Sequence, residues 1–206
     1  MNVDHTVFLT RRYEETWRRY EELGFTLSPP SRHFASRTDG GELVPSCTAN
    51  RCACFGGSFL ELIGIVDEEA GDPWRVLPIL HTAEHLTPEY VHQPRYLEHP
   101  NGARALARVL LVVPDDEVAA YEDRYAVITG GEPLVDIAGV SDLDAVLPGE
   151  LPKEPPYFAA HGVAVADLAH ARRLVERHVP TTTHDLGFFV SAENACGAAV
   201  SFMEAR

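Results

Sequence analysis

Apolar and polar positions follow two periods along this chain, and the switches between them mark its elements. Residues 3–10, Val-Asp-His-Thr-Val-Phe-Leu-Thr, are β-branched and apolar and predict a strand. Tyr13, Trp17, Tyr20 and Leu23 then recur at helical spacing and predict one apolar helix face, with Thr10 as cap and Gly24 as the closing glycine. Phe25-Thr26-Leu27 begins a further strand that Pro29 and Pro30 break. Residues 31–50 are polar and rich in Gly, Ser and Thr, and are expected to form a long loop. Residues 50–55 and 59–66, joined at Gly56-Gly57, predict two more strands.

Residues 67–102 lose this order. Pro73, Pro78, Pro88, Pro94 and Pro100 punctuate them, so the expectation is a loop with one or two short helices packed by Trp74, Leu77, Tyr90 and Tyr96. A strand at 107–113 and a helix from about 115 to 129 follow, with Asp115 and Asp116 at the positive helix start and Gly130-Gly131 at its close. Residues 132–156 hold five prolines and predict a weak strand plus a loop. The clearest unit comes last: a strand from His161, a helix capped by Asp167 and carrying Leu168, Ala171, Leu174 and Val175, then strands at 187–191 and 197–204.

The two ends of the chain repeat. A strand beginning at His5 leads into a helix, as does one beginning at His161; Ser58-Phe59-Leu60-Glu61 closes the first unit and Ser201-Phe202-Met203-Glu204 the last. By strand alternation Glu61 shares a face with Phe59, Ile63 and Ile65, where a carboxylate is costly unless paired, hydrogen-bonded or bound to metal. If the units are related by a pseudo-twofold axis, two imidazoles and two carboxylates can converge. Such a set suits a divalent Mn, Fe, Co, Ni or Zn ion with positions open for substrate.

Composition removes other classes. The 17 basic and 31 acidic residues leave a net charge of −14, which disfavours nucleic acid. No apolar run reaches the roughly 20 residues of a membrane span, so no membrane partner is expected. The N-terminus lacks a secretory pattern, and three clustered cysteines with one remote suit no disulfide framework; both point to a reduced, cytoplasmic protein. Cys52 and Cys54 read as thiols on one face of a core strand. His81-Thr-Ala-Glu84-His85 formally matches an inverted zinc-protease motif, but Pro78 and Pro88 leave little room for the long helix it needs. His81, His85, His92 and His99 are instead expected to line or cover a cavity. No phosphate loop or serine-nucleophile elbow is present.

The His-led first strand, the aromatic helix ending Leu23-Gly24-Phe25, the closing Phe59-Leu60-Glu61-Leu62 and the last unit ending Phe202-Met203-Glu204 resemble the vicinal oxygen chelate superfamily, and within it the glyoxalase-like proteins. The resemblance implies an α+β fold of paired βαβββ modules, the glyoxalase/bleomycin-resistance/dioxygenase fold, here with an extra strand–helix unit. The expected division is a first module at 1–66, a linker with short helices at 67–103, and a second module at 104–206. It implies a divalent metal on His5, Glu61, His161 and Glu204, with Glu61 or Glu204 as catalytic base. His33, Arg108, Trp17 and Phe59 are candidate substrate contacts, and Phe8, Phe188 and Phe202 candidate apolar lining. Arg108 has a second significance: if its strand were the partner of the His5 strand, it would stand where a histidine is expected. The implied function is a metal-dependent enzyme acting on a small oxygenated metabolite by bidentate chelation, as isomerase, lyase or dioxygenase. The alternative is a metal-free binding or resistance protein of the same fold. A homodimer is open, because superfamily members often pair modules across subunits.

Overall fold

The opening strand, β1 (His5–Thr10), runs into helix α1 (Tyr13–Glu22) in the computed structural model, which describes residues 3–36, 38, 40–70, 88–129 and 135–205. Thr10 acts one step before the helix: its Oγ1 accepts from the Arg12 N–H at 3.0 Å, while Arg12 holds the N-cap without a side-chain bond. Glu14 and Glu15 in the first turn complement the positive helix end. The helix closes at Gly24, where φ is +86°. A Cβ there would also stand 2.8 Å from Leu174 Cδ2 and 2.9 Å from Asn101 Cβ, so both conformation and close approach demand glycine.

Phe25-Thr26-Leu27 is not a strand. The Thr26 N–H donates to His99 Nδ1 and its hydroxyl to the Glu98 carbonyl, so residues 98–99 take the place of a neighbouring strand. The expected loop at 31–50 is instead mostly sheet, β2 (Ser31–Ser36) and the long β3 (Leu43–Cys54). Its polar character comes from position: β2 is an edge strand with mostly exposed side chains, so pairing with β3 rather than burial holds it. With β4 (Phe59–Ile65) the first sheet has the order β1-β4-β3-β2, with β1 parallel to β4 and the other neighbours antiparallel.

A short helix α2 (Pro88–Val91) and a single tight turn precede the second sheet. That sheet is built from β5 (Ala103–Val113), β6 (Val135–Gly139), β7 (Tyr157–Val165), β8 (Thr182–His184), β9 (Gly187–Val190) and β10 (Ala199–Glu204). Helices α3 (Val118–Thr129), α4 (Leu143–Val146) and α5 (Leu168–Val175) connect them, the last capped by Asp167 accepting from the His170 N–H at 2.8 Å. The order is β6-β5-β7-β10-β9-β8.

Strand β7 is parallel to β10, which is antiparallel to β9, which is antiparallel to β8. This is the connectivity of the first sheet again, so the strand of His161, and not that of Arg108, is the counterpart of β1. No strand of the last unit is missing: β8 has three residues and β9 four, which shortens the span. The Arg108 strand, β5, pairs with the other edge of β7 and forms a parallel strand–helix–strand extension with α3 and β6. The chain is therefore α+β, two sheets of four and six strands with helices, consistent with the glyoxalase fold.

Alternation assigns the faces. Thr6, Phe8, Leu60 and Leu62 face α1, whose Trp17 Nε1 donates to the Leu62 carbonyl at 3.1 Å. In the second sheet Val163, Val165, Phe188, Val200 and Phe202 pack in one cluster with Ala171 and Val175 of α5. The two helix-bearing faces share this core, with Phe25 over Phe202 at 6.0 Å and Phe202 stacked on Phe188 at 4.8 Å. The opposite faces of the sheets therefore point away from each other. Among the described residues no helix is long and apolar enough to cross a membrane.

Candidate functional site

The outward face of the first sheet carries a polar cluster on otherwise apolar strands. Register places His5 beside Phe59, Glu61 beside both Val7 and Cys52, and Asn50 beside Ile63, all on the face opposite α1. His5 stacks on Phe59, with ring centroids 4.5 Å apart and planes 9° apart. Its Nδ1 lies 2.6 Å from Asp4 Oδ2, and its Nε2 lies 4.0 Å from Glu61 Oε2. The two side chains are only 15% and 14% exposed, so Glu61 is not a solvated surface acid. Asn50 Nδ2 donates to Glu61 Oε1 at 2.5 Å, and His33 Nε2 stands 3.7 Å from the same oxygen. His33 Nδ1 is held at 2.8 Å by the Thr48 hydroxyl. α2 lies at the Phe59 end of this face, where Cys54 Sγ donates to the Val91 carbonyl and His92 meets Phe59 edge-on.

The two neighbouring thiols stay protonated. Burial, then the Glu61 carboxylate and Cys54, push the Cys52 thiol up, and burial raises Cys54 to about 11. A thiolate is the reactive and metal-binding form, so these cysteines act here as apolar packing. All four cysteines are free thiols.

His161 lies elsewhere. It shares the helix-bearing face of the second sheet, and its Nδ1 meets Thr6 Oγ1 at 3.1 Å inside the shared core. Burial lowers its pKa from 6.5 to about 4, and its Nε2 has no hydrogen-bond partner among the described residues. Glu204 is exposed at the end of β10, opposite Val165. The face of β7 on which it stands puts His161 in the core, and register keeps Glu204 away from it. Glu61 pairs with the residue two beyond His5, but Glu204 pairs with the residue four beyond His161, and Phe202 occupies the position that corresponds to Glu61.

The other sequence-derived candidates divide in the same way. His33 and Phe59 are at the cluster. Trp17, Phe8, Phe188 and Phe202 belong to the core between the sheets. Arg108 faces outward on the second sheet beside Gly162, and its guanidinium pairs with Asp136 at 2.6 Å. Burial raises the Asp136 carboxyl although Arg108 opposes the shift. His99 does not line a cavity: Nδ1 accepts from the Thr26 N–H and Nε2 bonds the Cys54 carbonyl, and burial lowers its pKa. His81, Glu84 and His85 lie outside the described residues. Two partners that sequence reasoning did not select are Asp4 and Asn50. Asp4 adjoins His5 directly, and strand alternation places Asn50 on the Cys52 face.

Donor chemistry tests the metal that the superfamily resemblance implies. His5 and Glu61 fit, because Asp4 at Nδ1 sets the tautomer whose Nε2 lone pair is directed toward the carboxylate. His161 and Glu204 do not join them. Among the described residues no group of three or more His, Cys, Asp or Glu side chains is placed so that it could hold a metal ion.

No curated protein matches this chain. The family model of the glyoxalase-like domain matches residues 3–85, a span that includes the whole first sheet and the His5–Glu61 cluster. The β1-β4-β3-β2 topology of the first sheet is consistent with that match and with the glyoxalase fold of the vicinal oxygen chelate superfamily.

Proposed function

We propose that this protein is a metal-dependent glyoxalase-like enzyme acting on a small oxygenated molecule, with its site on the outward face of the first sheet. The observation that carries this reading is the approach of His5 to Glu61 at 4.0 Å, with Asp4 on the far nitrogen of the imidazole. His5 and Glu61 would hold the ion, a divalent Fe, Mn, Ni, Co or Zn. When bound, the ion supplies Lewis acidity toward two adjacent substrate oxygens.

The chain's own residues supply the rest. Asp4 accepts the Nδ1 proton of His5 and fixes the ring. Phe59 stacks against that ring and shields one side from water. Asn50 holds Glu61 Oε1 and so orients the carboxylate, which would serve as ligand or as base toward a proton on the substrate. A positioned carboxylate of this kind favours isomerase or lyase chemistry, in which a proton leaves one carbon and is returned to another atom.

The test is the metal content of untagged protein, wild type beside His5→Ala and Glu61→Ala. Wild type is expected to carry about one equivalent of a divalent ion, and each variant to lose most of it. Sub-stoichiometric metal in wild type, unchanged in both variants, would overturn the reading and leave metal-free binding of a small molecule in its place.

A further inference from the structure

Among the described residues β1, β2, β6 and β8 edge the two sheets, and three of them are blunted. β8 has three residues, and neither β1 nor β6 has an exposed one. β2 differs: it has six residues, four of them exposed, and among the described residues no strand pairs with its outer side. Such an edge leaves the N–H and C=O groups of alternate residues pointing outward, a template for another strand. Proteins guard edges of this kind with lysine, proline or inward-pointing charge. Ser31-Arg32-His33-Phe34-Ala35-Ser36 has no lysine, proline or acid. Its arginine is satisfied within the chain, by the Asp67 carboxylate at 3.1 Å and the Ser46 carbonyl at 2.7 Å. The irregular pairing between Arg32 and Phe34 is its remaining guard, and beyond it Phe34, Ala35 and Ser36 pair with Pro45, Val44 and Leu43 without interruption.

Those pairs put Phe34, Leu43 and Pro45 on one face. Phe34 is 58% and Leu43 65% exposed, so the chain's own core does not take them. Charge favours a second copy as the occupant. At a net charge of −14, two copies repel over most of their surface, and β2 is an edge at which they can meet without bringing acids together. A strand that faces its own copy across a two-fold axis runs antiparallel to it, so the contact is self-complementary and closed. We propose that a second copy of this chain docks on the outer edge of β2, antiparallel and with Phe34 opposite Phe34 of the partner subunit, which joins two four-stranded sheets into one. This register sets Arg32 against Ser36 of the partner subunit and brings the two Phe34 rings together beside Leu43 and Pro45. His33 Nε2, on the same strand, is 3.7 Å from Glu61 Oε1, so the partner strand lies next to the site cluster. The inference does not rest on the metal-dependent reading, because mass and metal content are read separately.

Sedimentation velocity of the full chain, over a series of protein and salt concentrations, decides it. Wild type is expected to pass from the mass of one chain to that of two as its concentration rises. The passage should come at lower concentration in higher salt, which screens the repulsion between acidic copies. Phe34→Lys is expected to keep the mass of one chain throughout, with unchanged circular dichroism. Val127→Lys, at an exposed apolar position on α3, is expected to behave as wild type. Oxidation of cysteine variants reads the register. Opposite residues of an antiparallel pair stand about 4.5–5.5 Å apart between Cα atoms, within disulfide reach, so Phe34→Cys is expected to cross-link two chains. Ser36→Cys is expected not to, since at about 3.4 Å per residue it stands roughly 14 Å from its own copy. Wild type that keeps the mass of one chain under every condition would overturn the proposal. So would a dimer that Phe34→Lys leaves intact, one that cross-links through Ser36→Cys and not through Phe34→Cys, or an assembly that grows beyond two chains.

Discussion

Asp4 engages the His5 nitrogen that faces away from Glu61, and Asn50 engages Glu61 Oε1, the oxygen that His33 also approaches. A carboxylate at 2.6 Å from Nδ1 keeps the proton there and makes Nε2 the basic nitrogen. Asp4→Asn keeps the size and removes the charge, so divalent-ion affinity is expected to fall about 10–100-fold with folding unchanged. Calorimetry with Co2+ or Zn2+ reads this directly, and wild-type affinity would show that Asp4 does not set the imidazole. At this scale the sequence is legible where chemistry conflicts with its surroundings. Glu61 stands out because Phe59, Ile63 and Ile65 share its face. His33 is picked out as a candidate substrate contact, but its polar neighbours suggest a loop and hide its place on the edge strand β2. His161 is conspicuous as a strand histidine, but alternation tells only which residues share a face and not which face a helix covers. Position on the face made His5 part of an outward cluster and His161 part of a core.

Elements add a constraint that residues alone cannot express, the register between β1 and β4 and between β7 and β10. The matching tetrapeptides Ser-Phe-Leu-Glu and Ser-Phe-Met-Glu are two residues out of step relative to their histidines, as the pairs Val7 with Glu61 and Val163 with Phe202 show. A repeat read from sequence is blind to this slip because pairing partners are far apart in the chain. The helix–strand units were legible from their 3.6-residue and two-residue periods. The edge strand β2 was not, because an exposed edge needs no apolar alternation. How closely α1 seats on β4 depends on Gly64, where an added Cβ would overlap the Tyr13 side chain and meet Trp17 at 3.4 Å. Gly64→Val is therefore expected to push the helix off the sheet and to cost about 1–3 kcal/mol, as overpacking does. Urea denaturation followed by tryptophan fluorescence checks it. Because the outward face lies on the other side of the same strand, weaker metal binding should accompany the loss of stability. A variant as stable as wild type would mean that the helix has room to give.

At the scale of the whole molecule, the two sheets meet through their helix-bearing faces, and the His161 imidazole in that shared core joins them across 155 positions of sequence through Thr6. Burial holds this imidazole, His161, at a pKa of about 4 against an ordinary 6.5, so the folded protein resists a proton that the unfolded chain accepts. The sign follows from linkage: between these two values the unfolded state binds more protons, so stability rises with pH through this window and is lost as pH falls through it. Each pH step of one between the two values is worth about 1.4 kcal/mol, which puts the loss from His161 at roughly 3 kcal/mol by the bottom of the window. His99 and His184, each also lowered by burial, act in the same direction. Chemical denaturation at a series of pH values should show falling stability from about pH 6.5 downward. In His161→Gln, which keeps a polar group near Thr6 but cannot titrate, the slope should be shallower even if the stability at neutral pH is lower. An unchanged slope in that variant would remove His161 as its source. Because the His5–Glu61 cluster lies on the outward face and His161 in the core, the pH slope should persist in His5→Ala. That separates the histidine that holds the modules together from the histidine that serves the site.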